Sequence, residues 1–232
     1  MKRVIALCAL ALLVAGSMLS SASAQEPPVC GPPGEEVTAT IVGAGTIVGT
    51  PGDDVIVGSA GVDHIVGGDG DDVICSEGGN DVVNGGPGND FVAGDELSSV
   101  PFAPSNGNND DQLSGGPGDD ELAGLGGDDM LAGGPGDDTA IGMGGNDEIF
   151  TGPGADTAFG GPLDDHIDGA PGDDVLFGNF GSDVISGGVG DDIIDGDNPD
   201  PSQPPFPPGG NEDSCSGGPG DNVIQNCETT TP

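Results

Sequence analysis

The chain has 232 residues, of which 48 are Gly and 21 Pro; aromatic residues make up 3%, with no Trp and no Tyr. Asp and Glu number 41 against two basic residues, Lys2 and Arg3, so beyond residue 3 the formal charge is −41 (−39 less the two cations). This excludes nucleic-acid binding and phosphate-loop chemistry, which need cationic side chains, disfavours docking on anionic lipid, and describes a disordered chain unless a strict period organises it.

Lys2 and Arg3 lead into an apolar stretch, Val4 to Gly16, which is too short to span a bilayer comfortably. Ala22-Ser23-Ala24 fits a small-x-small cleavage site. Cys8 follows Leu7 early in the apolar stretch, which argues against a lipoprotein box. Residues 1–24 are therefore read as a secretory signal peptide, cleaved before Gln25. The remaining chain is expected to be exported, soluble and in an oxidising, calcium-rich compartment. Residues 25–39 are read as an N-terminal cap segment.

A nine-residue period runs from residue 40 to residue 225. Units such as GTPGDDVIV, GGPGDDELA and GNFGSDVIS begin at 49, 115 and 178. There are 18 units in register, including a weak first unit, TIVGAGTIV, and a last one, GGPGDNVIQ. The sixth position is Asp in 16 of the 18, the exceptions being Gly45 and Asn222. The eighth is small and apolar throughout, as in Ile47, Ile56, Ile65, Ile74 and Val83. Glycine richness alone would not fix both columns. The pattern G-G-x-G-x-D-x-U-x resembles the RTX, or haemolysin-type calcium-binding, nonapeptide repeat family. The resemblance covers residues 40–225.

The residue types carry a physical reading of their own. Glycines at the first, second and fourth positions allow positive φ and leave backbone carbonyls unshielded. A carbonyl-rich turn beside a carboxylate is an all-oxygen site, suited to Ca²⁺ with its six to eight oxygen ligands. The last three positions read as a short strand, with the eighth inward and the seventh and ninth outward. That explains the polar His64, Asn84, Gln112, Glu121, Glu148, His166 and Asp168 at outward positions. Loop plus strand is half a coil. The fold class is thus all-β: a parallel β-roll, or β-solenoid, of about 18 nine-residue half-coils.

The resemblance implies that each Ca²⁺ lies between the loops of one unit and the next but one, with backbone carbonyls completing its shell. The candidate ligands are the sixth-position carboxylates: Asp54, Asp63, Asp72, Asp81, Asp90, Asp111, Asp120, Asp129, Asp138, Asp147, Asp156, Asp165, Asp174, Asp183, Asp192 and Asp213. Eighteen units give 14 gaps with Asp on both sides, and three of these involve interrupted loops, so about 11–14 Ca²⁺ ions are expected. A thin core of small side chains cannot order so long a chain alone. Metal binding is expected to drive folding.

Two units, 94–114 and 196–216, are 21 residues long. Their Pro-rich insertions, roughly 97–108 and 198–210, carry Phe102 and Phe206. The host units are the seventh and seventeenth, so both insertions should leave the same edge of the roll. Beyond residue 24 there are four cysteines, Cys30, Cys75, Cys215 and Cys227, read as two disulfides. Three pairings exist; Cys30–Cys75 and Cys215–Cys227 are favoured because each would close one end of the roll. Residues 226–232 read as a C-terminal tail.

No catalytic motif appears. There is no G-x-S-x-G, the two His lie at outward positions without a fixed partner, and the basic residue that calcium-dependent β-helix lyases need is missing beyond Arg3. The reading is a secreted calcium-binding module without enzyme activity, structural or interacting at a cell surface or in a matrix. The alternative is an extracellular glycan-binding, ligand-binding or adhesion protein that uses the insertions.

Overall fold

The computed structural model describes residues 29–31, 37–95, 109–197, 213–227 and 229–231. Residues 1–24 and both insertions lie outside them. Two ten-stranded parallel sheets face each other, and every described strand from Ile41 onward alternates between them. Each strand pairs with the next but one, so one coil takes two units. The roll expected from the period is the fold found.

The strands are short, mostly three residues, though six in one sheet run on through the first position of the next unit to five or six. Their register keeps like positions opposite. Ile149 pairs with Leu131 and Ile167, for example, and Thr139 with Glu121 and Thr157. The eighth-position side chains fill the space between the sheets. From Ile47 through Ile194 to Cys215 they form one continuous buried column, with Ala140 and Ala158 as its smallest members. A core one side chain wide is all that two facing three-residue strands can build. The polar outward positions are also as expected, with His64, Asn84, Gln112, Glu148 and His166 exposed.

Part of the outward face is nevertheless buried. We call the sheet containing Val55–Ser59 the first sheet and that containing His64–Val66 the second. On the first sheet Val57, Cys75, Phe91 and Ala93 point away from the core but form a second apolar cluster with Cys30. The N-terminal segment causes this. Val29–Cys30 pairs antiparallel with Val37–Thr38, and Cys30 is bonded to Cys75 with a Cα–Cα distance of 5.9 Å. The favoured pairing is the one present, but its expected role is corrected. Cys75 belongs to the third strand of its sheet, so the bond straps the segment across the sheet face instead of closing the end. Farther along, the uncovered ninth-position column runs Ile141, Phe159, Phe177, with Phe159 and Phe177 stacked at 5.0 Å between centroids.

The second disulfide joins Cys215, a core-column residue, to Cys227. It holds the chain where a further strand, Thr229–Thr231, extends the second sheet beyond Ser214–Ser216. The sheet therefore continues past the last nonapeptide, through a turn in which Asn226 takes positive φ.

Both insertions interrupt loops on one edge of the roll, the edge leading into the second sheet, as parity required. Gln112–Ser114 and Ser214–Ser216 re-enter in full register with their neighbours despite the extra residues upstream. Removing the twelve extra residues from each long unit should therefore leave the roll intact. The doubly shortened chain is expected to fold at equal or lower Ca²⁺ concentration, read by circular dichroism. Failure to fold in saturating Ca²⁺ would contradict this register.

Candidate metal centre

The two loop edges carry one ladder of sixth-position aspartates each. On the edge leading into the second sheet the order is Asp63, Asp81, Asp111, Asp129, Asp147, Asp165, Asp183, Asp213. On the other it is Asp54, Asp72, Asp90, Asp120, Asp138, Asp156, Asp174, Asp192. All sixteen side chains are buried. Within a ladder, the backbone N–H of each Asp donates to Oδ1 of the Asp one coil on. Asp54 does so to Asp72 at 2.8 Å, Asp111 to Asp129 at 2.8 Å and Asp129 to Asp147 at 2.9 Å. Every one of the fourteen Asp–Asp gaps has this bond, at 2.7–3.1 Å. The three gaps beside the insertions, Asp81–Asp111, Asp111–Asp129 and Asp183–Asp213, are not exceptions. The two units without Asp end the ladders. Gly45 donates to Asp63 Oδ1, and Asn222 accepts from Asp192 at 2.8 Å.

The second carboxylate oxygen has a different fate. In the thirteen ladder aspartates from Asp72 to Asp192, Oδ2 is buried and makes no hydrogen bond. Oδ2 points at the first-position glycine of its own unit, beside the carbonyl of that position one coil on. A Cβ on Gly124 would stand 2.3 Å from Asp129 Oδ2 and 3.0 Å from the Gly142 carbonyl oxygen. A carboxylate oxygen and a carbonyl oxygen thus converge on one cradle that only glycine leaves open. Buried anionic oxygens with no donor are costly unless a cation or proton accompanies them.

The chain was expected to need glycine at three loop positions for positive φ. The structure divides the roles. Second- and fourth-position glycines such as Gly134 and Gly136 take positive φ, at 120° and 148°. The first-position glycine is there for space.

A family model for the RTX calcium-binding nonapeptide repeat matches residues 42–74, 76–96, 105–140, 133–167 and 168–198, more than half of the chain. The chain belongs to the RTX calcium-binding repeat family. No curated protein matches it. In this RTX roll the repeats make a calcium-binding type of β-roll, and the ladders present oxygen donors alone. Among the described residues no three side chains of His, Cys, Asp or Glu converge as a metal cluster. Each gap instead offers paired carboxylates and backbone carbonyls, a donor set that fits a hard cation of high coordination number.

In the thirteen ladder aspartates from Asp72 to Asp192 burial is the main influence and raises the pKa. Asp165 is pushed up to about 9 and Asp111 to about 8, with Asp129 and Asp183 at about 7. The ladder N–H pulls each back down, and neighbouring aspartates push it up again. Without a cation, Asp165 and Asp111 in the folded roll hold a proton more readily than an exposed carboxyl does.

Several features were not foreseen from the period. The fifth position forms an exposed ladder of its own, running the opposite way: Asp71 N–H donates to Asp53 Oδ1 at 3.1 Å and Asp137 N–H to Asp119 Oδ1 at 3.0 Å. Glu77, Leu125, Met143, Ala170 and Asn179 take positive φ at the second position, where glycine is the commonest residue. Ser76 and Thr151 replace the first-position glycine. Column-by-column inspection of the departures from glycine would have flagged all seven.

The cradle itself can be tested. Gly124→Ala places a methyl between Asp129 Oδ2 and the Gly142 carbonyl. It is expected to cost one bound Ca²⁺ and to raise the Ca²⁺ midpoint of folding, whereas Gly52→Ala, where a Cβ meets nothing within 4 Å, should leave both unchanged.

Proposed function

We propose that the mature chain, from Gln25, is a secreted protein that folds on binding Ca²⁺ and acts outside the cell as a structural or interaction module without enzyme activity. The sixteen ladder aspartates are its calcium ligands, each ion held between adjacent coils by two of them and by loop carbonyls. The observation that carries this reading is the row of buried, unpartnered Oδ2 atoms from Asp72 to Asp192 in a chain with no Lys or Arg beyond Arg3. No side chain but the two His can supply a compensating positive charge, and both His are exposed. Export fits the charged and apolar N-terminus and the two disulfides. Isothermal calorimetry on the chain from Gln25 tests the binding: many Ca²⁺ per chain are expected and little response to Mg²⁺, whose tight octahedron and reluctance to shed water suit it poorly to such a site. Absence of Ca²⁺ binding would end the proposal.

A second reading has a specific support, the shared edge of the two insertions. In it the roll is a calcium-rigidified spacer that presents both Pro-rich segments to a glycan or surface ligand. A glycan array probed with the full and the doubly shortened chain separates the two readings. Binding that is lost with the insertions supports display.

A further inference from the structure

Fifteen of the seventeen units from 49 to 217 begin with Gly. The two exceptions, Ser76 and Thr151, are both hydroxyl residues, one on each edge of the roll, and both side chains are fully buried. Each hydroxyl donates to the first-position carbonyl one coil on: Ser76 Oγ to Gly94 O at 2.6 Å, and Thr151 Oγ1 to Gly169 O at 3.0 Å. This is the carbonyl that, in other gaps, faces the cradle beside Oδ2. At Gly67, Gly85, Gly124 and Gly142 a Cβ would come within 2.2–2.3 Å of Oδ2 and 2.5–3.0 Å of that carbonyl oxygen. In these two units a real Cβ occupies the cradle, and a hydroxyl hydrogen saturates one of its oxygens.

We infer that Ser76 and Thr151 replace the cation with a hydroxyl staple, so that the Asp81–Asp111 and Asp156–Asp174 gaps link adjacent coils without Ca²⁺. The inference rests on the calcium reading above and refines it. A buried donor and an ion cannot both use the same carbonyl lone pair at short range, and the added methylene takes room that an ion with six to eight ligands requires. The last ladder position, by contrast, is closed from within its own loop. Asn222, in place of Asp, turns its amide nitrogen to the cradle side and donates to Gly218 O at 3.0 Å. The roll would thus carry, on each edge, one gap in which a hydroxyl bond stands in the ion's place and survives a chelator.

Native mass spectrometry of the chain from Gln25 at saturating Ca²⁺ counts the ions directly. Ser76→Gly and Thr151→Gly restore the residue found in the other units and are each expected to bind one ion more than the parent, the double variant two more. Ser76→Ala and Thr151→Ala keep the Cβ in the cradle and are expected to bind the parental number. Glycine variants with an unchanged count, or alanine variants that lose an ion, would overturn the inference, the latter by showing the hydroxyl to be a ligand. Should a glycine variant fail to fold, the alanine pair decides by the same count. A parent chain that binds no Ca²⁺ would instead overturn the calcium reading, and the inference with it.

Discussion

In a metal-free buffer at pH 8, the chain from Gln25 is expected to give the circular dichroism of a coil and to convert to β on addition of Ca²⁺. The two ladders bury sixteen carboxylates against a core one side chain wide, and in the thirteen from Asp72 to Asp192 burial raises the pKa on folding. From an ordinary value of 3.8, burial in the folded, metal-free roll moves Asp111 to about 8 and Asp165 to about 9. The folded state then holds more protons than the unfolded state across that interval. Its stability falls as pH rises through it and recovers as pH drops. Two observations follow. Metal-free chain at pH 5 should regain β signal that is absent at pH 8, and the Ca²⁺ midpoint should rise as pH falls, because protons and Ca²⁺ compete for the same oxygens. A β spectrum at pH 8 in excess chelator would show that the core and the strand ladders suffice without metal. A midpoint indifferent to pH would show that the buried oxygens are not the binding groups.

Asp129→Ala should be far more damaging than Asp168→Ala. Asp129 is buried in the middle of its ladder. Its Oδ1 accepts from Asp111 N–H, its own N–H donates to Asp147, and its Oδ2 faces the Gly124 cradle. Removing the carboxylate takes a proposed ligand from two adjacent gaps and leaves the Asp111 amide buried without its acceptor, which alone costs about 1–3 kcal/mol. A rise of about tenfold or more in the Ca²⁺ midpoint is expected, since each ~1.4 kcal/mol is a factor of ten. Asp168 is a ninth-position strand residue that caps the Ala170 amide at 3.2 Å and belongs to neither ladder. Its loss should move the midpoint less than about twofold, a surface change of a few tenths of a kcal/mol. Equal effects in a paired titration would mean that acidity acts here as bulk charge and not as placed ligands.

The sequence by itself determined the roll and the place of its acids. A period of nine with Asp at the sixth position and an aliphatic residue at the eighth admits one arrangement in which like residues stack, and the pairing of Ile149 with Leu131 and Ile167 realises it. Parity alone put both insertions on one edge. This legibility has a physical cause: in a solenoid each unit meets copies of itself, so local spacing already specifies the long-range neighbours. What lies outside the period had to wait for the tertiary structure. Nothing in the spacing of Cys30 says that its bond to Cys75 lays the N-terminal segment on the sheet face and buries Val57, Phe91 and Ala93, because that contact is between unlike elements. Glycine at the first position reads in sequence like glycine at the second and fourth. Only the convergence of Asp129 Oδ2 and the Gly142 carbonyl on the space beside Gly124 shows that one serves for room and the others for backbone conformation. Ser76 and Thr151 pass in the sequence for tolerated substitutions. Their hydrogen bonds to the carbonyls of Gly94 and Gly169 are made across coils, between residues eighteen apart, and it is the stacking of the coils that brings each hydroxyl to its acceptor.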